Sequence, residues 1–255
     1  MDKKAISPEM MVILLVFVIG AIILLLFSSA LAGQLKENAD VETCRLSVLA
    51  QAQTKTLGKS IVSLDCPRRN IKIFNDRVEI NEKKSKKYEF KKLTEEEVNH
   101  ILAEELRLCW YKMAEGNRDV FEQSYIFETE FNTCLICVEI EFDNKMKGNS
   151  YSGLLDYLKS RKIPKEDKSY FDYLTKAQSD FYLGYIPWTQ WNPWFYGTSI
   201  KVTDTKIDVS QKYVIYFLAF KPAWLLQKTK AQTSAYYIGL GKEEKLKDEC
   251  SILVN

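Results

Sequence analysis

A long uncharged segment near the N-terminus constrains this chain more than any other feature. No charged residue occurs from Met10 to Leu35. Its most apolar part, Met10–Ala32, would be about 35 Å long as a helix, against roughly 30 Å for the hydrocarbon core of a bilayer. A buried helix of that length in a soluble domain would normally carry a polar stripe, which this segment lacks. The sequence therefore predicts a transmembrane helix over residues 10–35, with residues 10–32 in contact with lipid.

The flanking residues predict where this helix begins and how it is oriented. Ser7 can cap the first free N–H groups, Pro8 suits the first turn, and Glu9 lies at the positive end of the helix dipole. The lysines before the helix give a small excess of positive charge, which favours a cytoplasmic N-terminus. We therefore expect residues 1–9 to be a cytoplasmic basic leader and residues 36–255 to be an extracytoplasmic domain.

The sequence leaves three fates open for the hydrophobic segment. It would stay as an uncut anchor, or be removed as a secretory signal before Gly33, since Ala30-Leu31-Ala32 is an A-x-A sequence. The third fate rests on a resemblance. Residues 3–9, KKAISPE, directly before the apolar run, resemble the class III signal peptide of archaeal prepilins. That resemblance covers about the first 30 residues. It implies cleavage after Ala5, with Ile6 as the mature N-terminus and the helix kept as an anchor or filament core.

All six cysteines follow the hydrophobic segment, and they are Cys44, Cys66, Cys109, Cys134, Cys137 and Cys250. An even number in an extracytoplasmic domain predicts disulfides, whereas an inverted topology would favour reduced, buried thiols. From Cys134 to Phe142 every second position is apolar, and Glu139 and Glu141 lie between the last of them, which is typical of a strand. Residues three apart on a strand face opposite sides, so Cys134 and Cys137 should not pair with each other.

The positions of the other cysteines suggest how the disulfides pair. Cys109 lies on the apolar stripe of a predicted helix, and a bond to either Cys134 or Cys137 would join that helix to the strand. Cys44–Cys66 is a sensible local pair, and Cys250 would tie down the C-terminus. A redox-active or zinc-binding CxxC is disfavoured because the motif lies on a strand and has no second ligand pair.

The rest of the chain predicts an α+β fold: an N-terminal transmembrane helix followed by a disulfide-stabilised mixed α/β extracytoplasmic domain. The clearest helix is Thr94–Ala114, which opens with the capping box Thr94–Glu97. The other predicted helices are Val41–Gln53, Tyr151–Arg161, Ser169–Leu174 and Lys242–Glu249. The predicted strands are Ile61–Leu64, Asn70–Phe74, Arg77–Asn81, Ser199–Val202, Tyr213–Phe220 and Ala235–Leu240.

An aromatic stretch at residues 185–196 is the main candidate for binding. Its two prolines predict a loop, and its candidate contact residues are Trp188, Trp191, Trp194, Phe195 and Tyr196. Exposed rings of this kind would bind a protein or glycan, or rest on a membrane surface. The alternative, which the sequence favours, is a long loop whose rings fill a satellite core.

A second candidate is the run from Glu82 to Lys92, which holds six lysines. It would act as a nucleic-acid or anionic-surface patch, although a solvated hairpin loop is the favoured interpretation. The net charge of +2 gives no overall attraction to nucleic acid, and no nucleic-acid partner is expected. Glu139 and Glu141 share one strand face, where a solvent-facing row is favoured over a carboxylate site.

No catalytic motif, metal-ligand set or cofactor fingerprint occurs, and the single histidine, His100, is expected to be an ordinary exposed residue. The sequence thus favours a membrane-anchored cell-surface protein with a non-enzymatic ectodomain, which would bind a partner, have a structural role or self-assemble. One alternative is a type IV pilin-like filament subunit processed after Ala5. A second is a secreted or anchored enzyme whose site is not visible in the sequence.

Overall fold

The fold is known from a computed structural model, which describes only part of the chain. The described residues are 19, 39–54, 62–117, 131–146, 148–175, 182–183, 206–221, 235–246, 250 and 252–254. The chain divides into two units, Met1–Asp40 and Val41–Asn255, and the description below concerns the second. Among the described residues no helix is both long and apolar enough to cross a membrane. The predicted transmembrane segment lies outside them, apart from Ile19.

The second unit is a mixed α+β domain, as the sequence predicts. The described residues include ten strands, which in chain order are β1 Arg69–Ile73, β2 Val78–Ile80, β3 Lys83–Lys84, β4 Phe131–Phe142, β5 Ser150–Tyr151, β6 Tyr182–Leu183, β7 Ile207–Asp208, β8 Tyr213–Lys221, β9 Ala235–Lys242 and β10 Ile252–Val254. Eight of them form one sheet in the order β3-β2-β1-β4-β8-β9-β6, and β10 also pairs with β4. Strands β5 and β7 form a separate antiparallel pair.

The long central strand β4 organises the sheet. Strands β1 and β10 pair with its two halves in parallel, and β8 pairs with its opposite edge in antiparallel fashion. Because β1 and β4 are parallel neighbours, the chain between them must cross over, and a helix lies in that connection.

In the part of the chain that the structure describes, four α-helices accompany the sheet. They are α1, in which residues 39–54 are helical, α2 Glu95–Lys112, α3 Leu154–Ser160 and α4 Tyr170–Thr175. The central helix α2 contacts α3, α4 and strands β4, β8 and β9. It is therefore enclosed on most sides, which explains why its buried residues extend well beyond one stripe.

The start of α2 confirms the predicted cap. The Thr94 hydroxyl accepts a hydrogen bond from the Glu97 N–H at 3.2 Å, and the predicted apolar stripe, from Val98 to Met113, is fully buried. The regular helix ends at Lys112, slightly before the predicted end. Residues Ala114–Gly116 then take three successive left-handed conformations. Gly116 suits this turn because a Cβ there would come within 2.9 Å of the Trp110 ring.

A β-bulge in β4 changes which residues share a face. Ile136 pairs with Tyr216 and Val138 pairs with Ile215, so Cys137 is an extra residue between the two pairs. Leu135, Cys137, Val138 and Ile140 consequently face the main core with α2, while Cys134 and Ile136 face the opposite side. The predicted strand is confirmed, but the prediction that positions 134 to 142 alternate without interruption is wrong.

The face of the sheet opposite α2 has its own small core. Cys134, Ile136, Val214 and Tyr216 pack there with residues of the C-terminal segment, including Leu246 and Cys250. The Tyr216 ring lies across Gly239 of β9, since a Cβ on that glycine would be 2.4 Å from the Tyr216 Cζ atom. This glycine therefore provides the space in which the tyrosine packs.

Several predicted elements differ from the structure. Residues 62–64 form no strand, because this segment runs beside α1, where the Asp65 N–H donates to the Ser47 hydroxyl at 3.0 Å. Helix α3 begins at Leu154 rather than Tyr151, because Tyr151 pairs in β5. The described start of the predicted C-terminal helix is a 3-10 turn, Glu243–Lys245. The predicted strand Ser199–Val202 lies outside the described residues.

Candidate functional site

The six cysteines form three disulfides, which confirms the prediction of disulfide bonds. The favoured local pair, Cys44–Cys66, joins α1 to the segment just before β1. Cys44 is fully buried and Cys66 is half-buried. This bond attaches α1 to the sheet independently of the other two.

The two cysteines of the CxxC sequence bond in opposite directions, not to each other. Cys137 pairs with Cys109 of α2, and Cys134 pairs with Cys250 on the other face of the sheet. The sequence left open which of the two would bond Cys109, and the bulge at Cys137 decides it by turning that side chain toward α2. Strand β4 is thus covalently tied to the layer on each side of it.

Helix α1 is also attached by a cluster of polar contacts at the end of α2. The Arg45 guanidinium lies over the Tyr111 ring, 3.8 Å from its centroid, and donates a hydrogen bond to the Tyr111 carbonyl. The same guanidinium is 3.8 Å from the Glu115 carboxylate, which also accepts a hydrogen bond from the Tyr173 hydroxyl at 3.2 Å. These contacts reinforce the disulfide at Cys44.

The most unusual polar group in the core is a pair of adjacent glutamates on α2. Glu105 is fully buried and forms a 3.0 Å ion pair with Arg69 of β1, which is also fully buried. The Tyr88 hydroxyl donates to the second oxygen of Glu105 at 2.6 Å. Each oxygen of this carboxylate therefore has a partner, as burial of a charge requires.

The neighbouring Glu104 has a different set of partners. Its carboxylate lies 3.2 Å from the Lys87 ammonium and 3.0 Å from the Arg107 guanidinium, and it accepts a hydrogen bond from the Tyr170 hydroxyl. Lys87 also lies 3.9 Å from Glu105, so it links the two carboxylates. We call these seven residues, Arg69, Lys87, Tyr88, Glu104, Glu105, Arg107 and Tyr170, the glutamate network.

The electrostatics of the glutamate network fix its protonation at neutral pH. Burial alone would raise the pKa of Glu104, but the charges of Lys87 and Arg107 and the hydrogen bonds outweigh it and lower that pKa to about 2. Burial, followed by the nearby Glu105 carboxylate, raises the pKa of Tyr88 well above its usual range. Glu104 is therefore ionised and Tyr88 protonated near pH 7, and neither is poised to exchange a proton there.

The glutamate network instead connects four parts of the fold. It brings together β1, the segment after β3, the middle of α2 and the start of α4 through charge-assisted hydrogen bonds. Its chemistry is that of a buried structural cluster.

Other acidic and basic candidates are accounted for by local contacts. Glu139 pairs with Arg68, and Glu141 pairs with Lys212, so this strand face is a row of ion pairs. His100 is half-buried rather than exposed, because α3 packs against it and its Nδ1 lies 3.0 Å from the Tyr157 hydroxyl. Within the described part of the chain, no cluster of three His, Cys, Asp or Glu residues could hold a metal ion.

The aromatic candidates Trp188, Trp191, Trp194, Phe195 and Tyr196 lie outside the described residues. The predicted cleavage position, Ala5 and Ile6, lies outside them as well. These predictions remain as the sequence makes them.

Sequence reasoning missed the glutamate network, although α2 carried a signal for part of it. Glu105 lies four residues after Ile101 and four before Cys109, which places it on the buried stripe. A glutamate at such a position requires a buried cation, but nothing local identifies Arg69 as that cation.

Comparisons of this chain with known protein families, with curated proteins and with solved structures find no match.

Proposed function

We propose that this protein is a membrane-anchored cell-surface protein whose α+β domain lies outside the cytoplasm and has a binding or structural role. The observation that carries the proposal is the use of all six cysteines in three disulfides. Disulfides of this kind form and persist in oxidising compartments and are rare in the cytosol. The uncharged segment over residues 10–35 supplies the anchor, with the N-terminus on the cytoplasmic side.

The proposal is tested on membranes prepared from cells that produce the full chain. Thiols are blocked with an alkylating reagent during lysis, the membranes are washed with alkaline carbonate, and the retained protein is analysed by non-reducing peptide mass mapping. We expect the protein to stay in the membrane with all three disulfides formed. Release by carbonate, or alkylation of the cysteines before any reductant is added, would contradict the proposal.

The pilin-type leader supports a second candidate, a filament subunit in which the hydrophobic helix packs with other copies. Its distinguishing observation is the mature N-terminus. A chain that begins at Ile6 supports processing after Ala5, whereas an intact Met1 or Asp2 contradicts it. A chain that begins at Gly33 would show that the segment is a removed signal, and would refute the anchor as well.

For the aromatic stretch at residues 185–196 a packed loop is the favoured interpretation, and contact with a protein or glycan is the alternative that we propose to test. Replacing Trp188, Trp191 and Trp194 together by alanine tests this, with binding to isolated envelopes of cells that lack the protein as the readout. Loss of envelope binding with the three disulfides and the unfolding midpoint unchanged supports a contact role. Loss of folding, or unchanged binding, contradicts it and indicates a packed loop.

A further inference from the structure

A hairpin rich in lysine stands out on the described surface. We call residues 82–92, which include β3 and lead toward α2, the lysine hairpin; it holds six lysines and two glutamates. Lys87 points inward to the glutamate network. The other five, Lys83, Lys84, Lys86, Lys91 and Lys92, are exposed.

These five lysines have no ion-pair partner in the described structure, unlike many charges elsewhere on it. Arg77, directly before β2, pairs with Asp76 and Glu79, and Lys162 pairs with Asp167 at 3.4 Å. The ammonium groups of the lysine hairpin are thus left to attract an external anion. Because they are exposed, this attraction is screened by salt.

The lysines stand on a firmly held frame. The Ser85 N–H donates to the Val78 carbonyl at 2.9 Å, and the Leu93 N–H donates to the Asn75 carbonyl at 2.7 Å. Between these two points, Tyr88 is fixed by its bond to buried Glu105. A fixed frame reduces the conformational entropy that a partner must remove on binding, compared with a free basic tail.

A protective role accounts for only part of the pattern. Lysines on an edge strand prevent pairing with another sheet, and β3 lies at one edge of this sheet. That explains Lys83 and Lys84. It does not explain Lys86, Lys91 and Lys92, which follow the strand and have no edge to protect.

The composition of the hairpin indicates which polyanion it fits. It contains no arginine, the residue most often used to read base edges, which disfavours sequence-specific binding of nucleic acid. Its two aromatic residues do not offer free rings for stacking, since Tyr88 is buried and Phe90 is half-buried. It exposes no apolar side chain for insertion into lipid. The hairpin therefore offers exposed lysine ammonium groups on a backbone held by hydrogen bonds. Such a surface suits a partner that is recognised by its charge density alone.

We propose that the lysine hairpin is a binding surface for an acidic polysaccharide of the cell surface, bound through its carboxylate or sulfate groups. This inference rests on the proposed extracytoplasmic location, because such polymers are met there. It adds a partner class to that proposal and uses none of the residues of the aromatic stretch.

The test uses the full chain in uncharged detergent, with heparin as the probe polysaccharide. In one variant the five exposed hairpin lysines are replaced by glutamine; a control variant carries the same change at Lys145, Lys159, Lys165, Lys168 and Lys206, which are also exposed. The net charge falls equally in both. We expect heparin affinity to fall by about tenfold or more in the hairpin variant and by less than about twofold in the control.

Two results would overturn the inference. Equal losses in both variants would show that net charge, not the hairpin, governs binding. Tighter binding to phosphatidylglycerol vesicles or to single-stranded DNA than to heparin would assign the surface to another class of partner. Both readouts are independent of cellular location, so an extracytoplasmic protein that fails to bind heparin refutes this inference alone.

Discussion

Replacing Cys134 and Cys250 by alanine should destabilise the domain more than removing either of the other disulfides. This bond joins residues 116 apart, whereas Cys44–Cys66 joins residues only 22 apart. Neither of the other disulfides shortens the loop between Cys134 and Cys250 in the unfolded chain. Cys44–Cys66 lies entirely before this loop, and only the Cys137 end of Cys109–Cys137 lies inside it. From the loop-closure entropy of the unfolded chain, the Cys134–Cys250 disulfide should stabilise the folded domain by about 4.8 kcal/mol and Cys44–Cys66 by about 3.4 kcal/mol.

The assay is equilibrium unfolding in guanidinium chloride, followed by tryptophan fluorescence, for the full chain and for each double-alanine variant. The slope of the transition must be compared as well as its midpoint, because loss of a cross-link expands the unfolded state. We expect the Cys134→Ala/Cys250→Ala protein to be less stable than the Cys44→Ala/Cys66→Ala protein by about 1.4 kcal/mol. Equal stabilities, or the opposite order, would refute the reasoning from loop length.

Three further predictions concern the core. Gly239→Ala should lower the free energy of unfolding by about 1–3 kcal/mol, because the new methyl group would overlap the Tyr216 ring. Arg69→Met should cost about 3–5 kcal/mol, because it leaves the Glu105 carboxylate buried without its main cation. Acid should destabilise the protein through Glu104, whose pKa is about 2 when folded and 4.5 ordinarily. A lowered folded pKa gives stability that is present above pH 4.5 and is lost as the pH falls toward 2, up to about 3 kcal/mol.

Each of these has a matched control. Gly241→Ala should cost little, since its Cβ would lie 3.7 Å from the same ring, and equal costs at both glycines would contradict the packing argument. Adding Glu105→Leu to Arg69→Met should recover part of the lost stability, whereas a purely additive double variant would contradict the ion-pair explanation. For Glu104→Gln, we expect the stability to depend less on pH between 4.5 and 2 than in the natural protein, as followed by thermal unfolding. An unchanged pH dependence would rule out Glu104 as its source.

Local sequence signals were sufficient for elements whose determinants are themselves local. Helix α2 was predictable because Thr94 caps its start and apolar residues recur at helical spacing behind it. Strands β8 and β9 were predictable because long apolar and aromatic runs are bounded by turn residues. In both cases the residues that determine the element lie within the element or directly beside it.

Features set by distant partners were not predictable. The apolar residues at every second position from 134 to 142 suggest one continuous strand face, but the bulge at Cys137 depends on how β4 pairs with β8. The segment at residues 62–64 has strand-like composition, but it runs beside α1 and finds no strand partner. Such choices depend on tertiary contacts, which outweigh strand propensity.

The glutamate network shows the same division. The position of Glu105 on the buried stripe is visible from spacing, whereas its partners Arg69 and Tyr88 come from segments 36 and 17 residues away. A buried charge can therefore be suspected from one sequence, but its neutralising partner emerges only when the strands and helices are assembled.

The orientation of the chain in the membrane decides whether the domain is extracytoplasmic. Intact cells and lysed cells are treated with a membrane-impermeant amine reagent, and the modified lysines are identified by mass spectrometry. We expect exposed lysines of the domain that lie outside the lysine hairpin, such as Lys165 and Lys168, to be modified to the same extent in both samples. Lys3 and Lys4, if they are retained, should be modified only after lysis. Modification of the domain lysines only after lysis would contradict an extracytoplasmic domain.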